Sequence, residues 1–167
     1  MGAMKTFTLT HEIATDVDGF WKIFFDKDYN VALYLKGLKF PAFELVSLKE
    51  TDKEIARTIK VTPKLDVPGP VAKLLGSGFA YTEEGTFDRA TKLWRWHNIP
   101  SDKVRTEGTV RVESIGDGRI RRIGDTTIEG KIFGLKSVLE STIEKNIRQG
   151  WDESAVFMNE WVAGKHR

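Results

Sequence analysis

The spacing of apolar residues changes once along this chain, and that change does most to limit the folds open to it. From about Phe133 to Trp161, residues such as Leu135, Leu139, Ile143, Ile147, Trp151 and Met158 recur at helical spacing. A helix of that length runs ~40 Å at ~1.5 Å per residue and needs a broad surface to cover its apolar stripe. Upstream the period is two. In Lys5 to Ile13, Phe7, Leu9, His11 and Ile13 share one face and the threonines the other. Phe43 to Glu50 and Glu54 to Thr62 read as a hairpin turning at Thr51 and Asp52. Phe79 to Asp88, Lys92 to Ile99, Lys103 to Glu113 and Arg119 to Ile132 supply four further strands.

Two short helices follow the first strand. Asp16 or Asp18 caps one with an apolar face of Phe20, Trp21, Phe24 and Phe25, and Asp28 opens a second that carries Leu33 and Tyr34 and stops at Gly37. Val67-Pro68-Gly69-Pro70 and Gly76-Ser77-Gly78 bracket one apolar turn, so residues 65–78 read as an irregular or mobile excursion. Strands joined by short turns pair antiparallel with their neighbours. The fold class is therefore α+β: a seven-stranded curved antiparallel sheet wrapped around a long C-terminal helix. A long meander curls, and the space inside the curl is a pocket wherever side chains do not fill it.

Of the 167 residues, 40 % are hydrophobic and 30 % charged, enough for one core, and residues 4–163 read as a single domain. Met1 to Ala3, ahead of a second methionine at Met4, read as an expression remnant. Lys and Arg total 26 against 24 Asp and Glu, for a net charge of +2 with no concentrated basic stripe, which argues against nucleic acid as a partner. The absence of cysteine removes disulfides, thiolate nucleophiles, iron–sulfur clusters and thiolate zinc sites. His11, His97 and His166 lack metal-ligand spacing, and no phosphate loop, dinucleotide motif or nucleophile elbow is present, so neither a metal nor a cofactor is expected. With no membrane-length apolar run and no signal-like N-terminus, the expected location is the cytoplasm.

The opening strand followed by Phe20, Trp21, Phe24 and the Asp26 to Tyr29 segment, the Val67-Pro68-Gly69-Pro70 interruption, and Ile132-Phe133-Gly134 leading into a helix with Glu140 and Glu144 resemble the START-like, helix-grip superfamily. That group includes lipid-transfer domains, birch-pollen-allergen relatives, and polyketide cyclases and aromatases. Within it the chain is most similar to the bacterial DUF2505 family of unknown function. The resemblance implies a cavity between sheet and helix for a lipid, sterol, isoprenoid or polyketide-like molecule, with residues 65–78 where a gating loop would lie. It leaves room for transient membrane contact during ligand exchange and leaves the oligomeric state open. No catalytic residue is carried over from it.

Strand alternation nominates the interior polar groups independently. Arg57 falls on the face of Ile55, Ile59 and Val61; Arg122 falls with Ile120 and Ile128; and Glu83 falls with Tyr81, Gly85 and Phe87. An inward arginine needs a partner, either a ligand's polar head or a residue such as Glu83 or Glu44. Trp94 and Trp96 share a face and serve as cavity wall or core, with Tyr81 adding a hydroxyl. His11 is inward as an acid–base candidate or a packed residue. On the long helix, the polar Thr142 and Asn146 run beside Leu139 and Ile143 and leave room for a ligand if that stripe faces the sheet, or carry no function if it faces solvent, while Glu140, Glu144, Asp152, Glu153 and Glu160 read as an acidic outer face.

Three functions compete. A binding or transport domain for a hydrophobic or amphipathic small molecule leads. The second is a cyclase, aromatase or hydratase acting in the same cavity, and the third is a protein-interaction module with a filled core.

Overall fold

In the computed structural model, residues 4–166 are described; the remnant reading of Met1 to Ala3 lies outside them. Strand β1 (Lys5–Ile13) leads into α1 (Val17–Phe25) and α2 (Lys27–Ala32). The carboxylate Oδ1 of Asp16 accepts the Gly19 amide at 2.7 Å and that of Asp26 accepts the Tyr29 amide at 3.0 Å, so each helix begins at a side-chain cap. The second cap is Asp26, two residues before the expected Asp28. A π-helical turn, Leu33–Gly37, continues α2 and delivers the chain to β2 (Ala42–Glu50).

β2 pairs with β3 (Glu54–Thr62), after which α3 (Gly69–Leu75) interrupts the meander before β4 (Tyr81–Asp88). β5 (Leu93–Asn98), β6 (Val104–Gly116) and β7 (Arg119–Gly130) complete it, and β1 returns to pair with β7. The resulting antiparallel sheet has the order β1-β7-β6-β5-β4-β3-β2. Register irregularities between Leu45 and Ser47 and between Ser114 and Gly116 add the local twist that helps a sheet of seven strands curl.

The long helix α4 (Lys136–Val162) starts three residues later than the periodicity suggests. Leu135 donates its amide to the Ile132 carbonyl at 3.1 Å, closing a turn that excludes Phe133 and Gly134 from the helix. Gly134 has φ +80°, a value that suits glycine at the third position of such a turn.

The helix packs on β1, β7 and the Leu33–Gly37 turn. One end of the molecule is filled by an aromatic cluster in which Phe20, Trp21, Phe24 and Phe25 from α1 meet Phe87 and Trp94 from the sheet. Among the described helices none is long and apolar enough to cross a membrane.

Glu140 departs from the expected acidic outer face. It is 6 % exposed, and its Oε2 accepts the Gly130 amide at 2.7 Å and the Lys136 ammonium at 2.5 Å. Arg122 is equally buried, although Arg119 and Arg121 beside it on the strand are exposed.

Candidate functional site

Arg57 points inward from β3, as the alternation requires, and is 5 % exposed. Its Nη1 donates to the Phe24 carbonyl at 2.9 Å, its only hydrogen bond among the described residues. The guanidinium lies over Phe24, Trp94 and Phe25, at 4.6, 5.0 and 5.6 Å from the ring centroids. Neither Glu83 nor Glu44 closes an ion pair with it. Aromatic faces and one backbone carbonyl offset the desolvation of the charge and leave the rest of the fork available.

Glu83, on the adjacent strand β4, faces the same interior. Burial pushes its carboxyl above the usual carboxylate range, and the positive charge of Arg57 works against that rise. Tyr34, from the π-helical turn, stacks on Phe43 at 4.6 Å with the rings 8° from parallel. Burial raises its phenol, Glu83 adds to the rise, and Arg57 opposes it. Burial raises the Tyr81 phenol too, with Tyr34 and Glu83 acting in the same direction.

Arg57, Glu83 and Tyr81 lie along the inner side of the β3–β4 pair, where Arg57 is opposite Gly85, Ile59 opposite Glu83 and Val61 opposite Tyr81. Tyr34, Tyr81 and Glu83 are enclosed by protein yet each remains partly accessible, and none makes a side-chain hydrogen bond among the described residues. The helix α4 rests on the β1–β7 side and makes no comparable contact with β3, β4 or β5. Trp96 is half-buried. Trp94, at 1 % exposure, belongs to the core.

Two concavities flank the arrangement. An apolar recess of about 260 Å³ lies between the start of β2, the end of β3 and α3, lined by residues such as Pro41, Leu65, Val67, Leu75 and Phe79. It sits at the end of the sheet where a cavity between sheet and helix would open, and is a little smaller than the ~300 Å³ at which small-molecule sites begin. A broader depression of about 960 Å³ is lined only by strand residues, among them the outward-facing Thr6, Thr8, Thr58, Thr86, Arg95 and Glu107. No helix contributes to it, so it is a trough across the outer face of the sheet and not the space under α4.

The remaining candidates lie elsewhere. Arg122 donates from Nη1 to Ser154 Oγ at 2.9 Å and from Nη2 to the Trp151 carbonyl at 2.9 Å, and stacks 4.2 Å above the Trp151 ring. Burial lowers its guanidinium to about 10. His11 sits 3.2 Å from Arg122 through Nδ1 and 2.7 Å from Asp152 through Nε2. Together these residues lock β1 and β7 to α4, apart from the Arg57 group.

Leu139 is fully buried, Ile143 is half-buried, and Thr142 Oγ1 donates to the Val138 carbonyl at 2.7 Å within its own helix. Asn146 holds the excursion after β3: its Oδ1 accepts the Asp66 amide at 3.2 Å and its Nδ2 donates to the Asp66 carbonyl at 3.1 Å. Lys145 adds an ion pair to Asp66 at 2.9 Å. Among the described residues no group of three or more His, Cys, Asp or Glu could hold a metal ion.

Tyr34 is the member of the polar group that the sequence conceals. At helical spacing it joins Leu33 and Leu35 as one more apolar residue, and only the π-helical turn aims it across the sheet.

Comparison with known proteins agrees with this architecture. The family model described as "Protein of unknown function (DUF2505)" matches residues 8–162. No curated protein matches the sequence. Among solved structures, the Zhui aromatase/cyclase from Streptomyces sp. R1128 is similar with a TM-score of 0.68 at 15 % identity, covering 96 % of each chain. Norcoclaurine synthase from Thalictrum flavum gives 0.64 at 17 % identity, covering 96 % of this chain and 87 % of that one. A START superfamily protein from Mycobacterium smegmatis gives 0.60 at 11 % identity, covering 97 % and 99 %. At these identities the likeness is one of fold: this is a helix-grip architecture.

Proposed function

For a chain that belongs to the DUF2505 family, we propose a binding or transport function, in which the hollow between β3–β5 and α4 takes an apolar or amphipathic small molecule. The observation that carries the reading is the set of half-buried polar groups without side-chain hydrogen bonds among the described residues, Glu83 and Tyr81 on the strand beside Arg57 together with Tyr34. Desolvated polar groups without protein partners are unfavourable unless water or a ligand completes them. An oxygen-bearing head, a hydroxyl, carbonyl or carboxyl, would bridge the Arg57 fork and the Glu83 carboxyl, while the apolar body lies along Trp96, Ile143 and the recess beneath α3. The likeness of fold to an aromatase/cyclase and to a START superfamily protein lends the general reading support.

The raised carboxyl of Glu83 supports a second reading. A buried carboxyl that holds its proton more tightly than a free one is suited to donate it, and an oxygenated ring substrate in the same hollow would meet it as a general acid in a cyclase-type reaction.

Native mass spectrometry of protein purified gently from its own host tests the binding reading. A co-purifying mass in the lipid or polyketide range is expected, reduced in Tyr81→Phe and Glu83→Gln and lost in Arg57→Ala. Far-UV circular dichroism confirms that each variant is folded. A native protein with no bound mass, or folded variants that retain it undiminished, would overturn the proposal.

A further inference from the structure

The register of the sheet gathers four connections at one pole: residues 38–41 before β2, 63–80 between β3 and β4, 99–103 between β5 and β6, and 131–135 before α4. Direct bonds tie two of them together, since the Lys131 amide donates to the Lys103 carbonyl at 2.8 Å and Lys131 Nζ reaches the Ser101 carbonyl at 3.5 Å. At this pole the chain exposes apolar side chains it does not need to expose. Phe133, at the tip of its four-residue turn, is 102 % exposed, and Ile99 in the adjoining connection is 54 % exposed. The turn holds the ring away from the protein. An aromatic side chain fully in water on a hydrogen-bonded turn is disfavoured unless something covers it.

The charge at the pole indicates what that is. The four connections and the first residue of α4 carry six lysines, at 39, 64, 73, 103, 131 and 136, against two aspartates, whereas the whole chain has an excess of only two positive charges. Among the described residues only Lys136 of the six is paired with a carboxylate, and Asp66 is taken by Lys145 of α4. An exposed aromatic ring within a collar of unpaired ammonium groups is complementary to a surface that is apolar beneath an anionic layer. We infer that this pole docks on a bilayer carrying anionic lipid, with Phe133 and Ile99 entering the headgroup–acyl boundary and Lys103 and Lys131 meeting the lipid phosphates or carboxylates. The recess beneath α3 opens at the same pole, so docking brings it against the membrane.

Co-sedimentation with vesicles tests this on the whole protein, with no other ligand added, so its outcome is separate from that for the hollow. Binding to phosphatidylcholine vesicles with about a third phosphatidylserine is expected, with little to phosphatidylcholine alone and release as salt rises to ~0.5 M. Phe133→Ser should weaken binding about tenfold, and Lys103→Glu with Lys131→Glu by at least as much. Val156→Ser, exposed on α4 away from the pole, should leave it unchanged. Equal sedimentation with both vesicle types, or equal effects of Phe133→Ser and Val156→Ser, would overturn the inference. So would lipid-free self-association that Phe133→Ser abolishes, since a second copy would then be the cover.

Discussion

Trp94 rests directly on Gly85 across the β4–β5 pair, and a Cβ at Gly85 would overlap the indole. The same device recurs where Trp96 meets Gly108 and Trp151 meets Gly124, so three large rings lie against the inner face of the sheet because three glycines leave them room. Trp94 cannot retreat, being 1 % exposed and packed against Phe24 and Phe25. Gly85→Ala is therefore expected to destabilise the fold by ~1–3 kcal/mol through overpacking. Gly150→Ala on α4, where an added methyl meets nothing within 4 Å, should stabilise it by up to ~1 kcal/mol. Urea unfolding of the two variants beside the parent, compared at the transition midpoint, checks both.

Glu83 makes stability depend on pH in a direction opposite to that of a paired carboxylate. Its folded value lies above the 4.5 of the free group, because burial disfavours the charge more than Arg57 favours it. The folded state therefore holds the proton more tightly than the unfolded chain. Stability from this group is fully present below pH 4.5 and is lost as pH rises through the folded value. Glu83→Gln, neutral and of the same shape, should be more stable than the parent at pH 7, with the difference vanishing below pH 4.5. Thermal unfolding across that range measures it, and a variant less stable than the parent at pH 7 would contradict the assigned burial of the charge.

The interior position of Arg57 was legible because Ile55, Ile59 and Val61 mark its face of the strand, and the same count turned Glu83 and Tyr81 inward. What the arginine touches was not legible. Its carbonyl acceptor at Phe24 lies 33 positions away, and the aromatic faces beneath it come from α1 and β5. Arg122 and His11 had the right orientation, but their partners Ser154, Trp151 and Asp152 are reached only once α4 crosses β1 and β7. Strand alternation reports which side of a sheet a residue takes. It does not report which stretch of helix arrives there. Tyr34 escaped for the same reason, since it comes from the turn after α2 and not from a strand of the sheet.

Glu140 provides the contrasting pH response. Burial alone would raise its carboxyl, but the hydrogen bonds from Lys136 and the Gly130 amide together outweigh that and hold it below the usual range. The folded state releases the proton more readily than the unfolded chain, so the stabilisation is present above pH 4.5 and lost as pH falls through the folded value. Removing the charge while keeping the shape should cost ~1–3 kcal/mol at pH 7, the usual effect of weakening a buried charge-assisted hydrogen bond. Urea unfolding of Glu140→Gln at pH 7 and at acid pH is the measurement. A loss that is the same at both would show that the ionised carboxylate is not the source.

Asn146 governs the excursion that covers the recess. Its side chain both accepts from and donates to the backbone of Asp66, so it replaces a pair of strand-like hydrogen bonds at the point where the chain leaves β3 for α3. The Lys145–Asp66 ion pair beside it is exposed and, screened by water, adds little. Asn146→Ala should therefore free the segment with only a small change in global stability. Loss of one or two net hydrogen bonds, each of ~0.5–1.5 kcal/mol, predicts faster exchange of the Asp66 amide by roughly tenfold. Hydrogen exchange read residue by residue separates the outcomes. Acceleration confined to residues 63–80 identifies Asn146 as the tether of that segment, whereas acceleration spread along α4 would mean that it supports the helix itself.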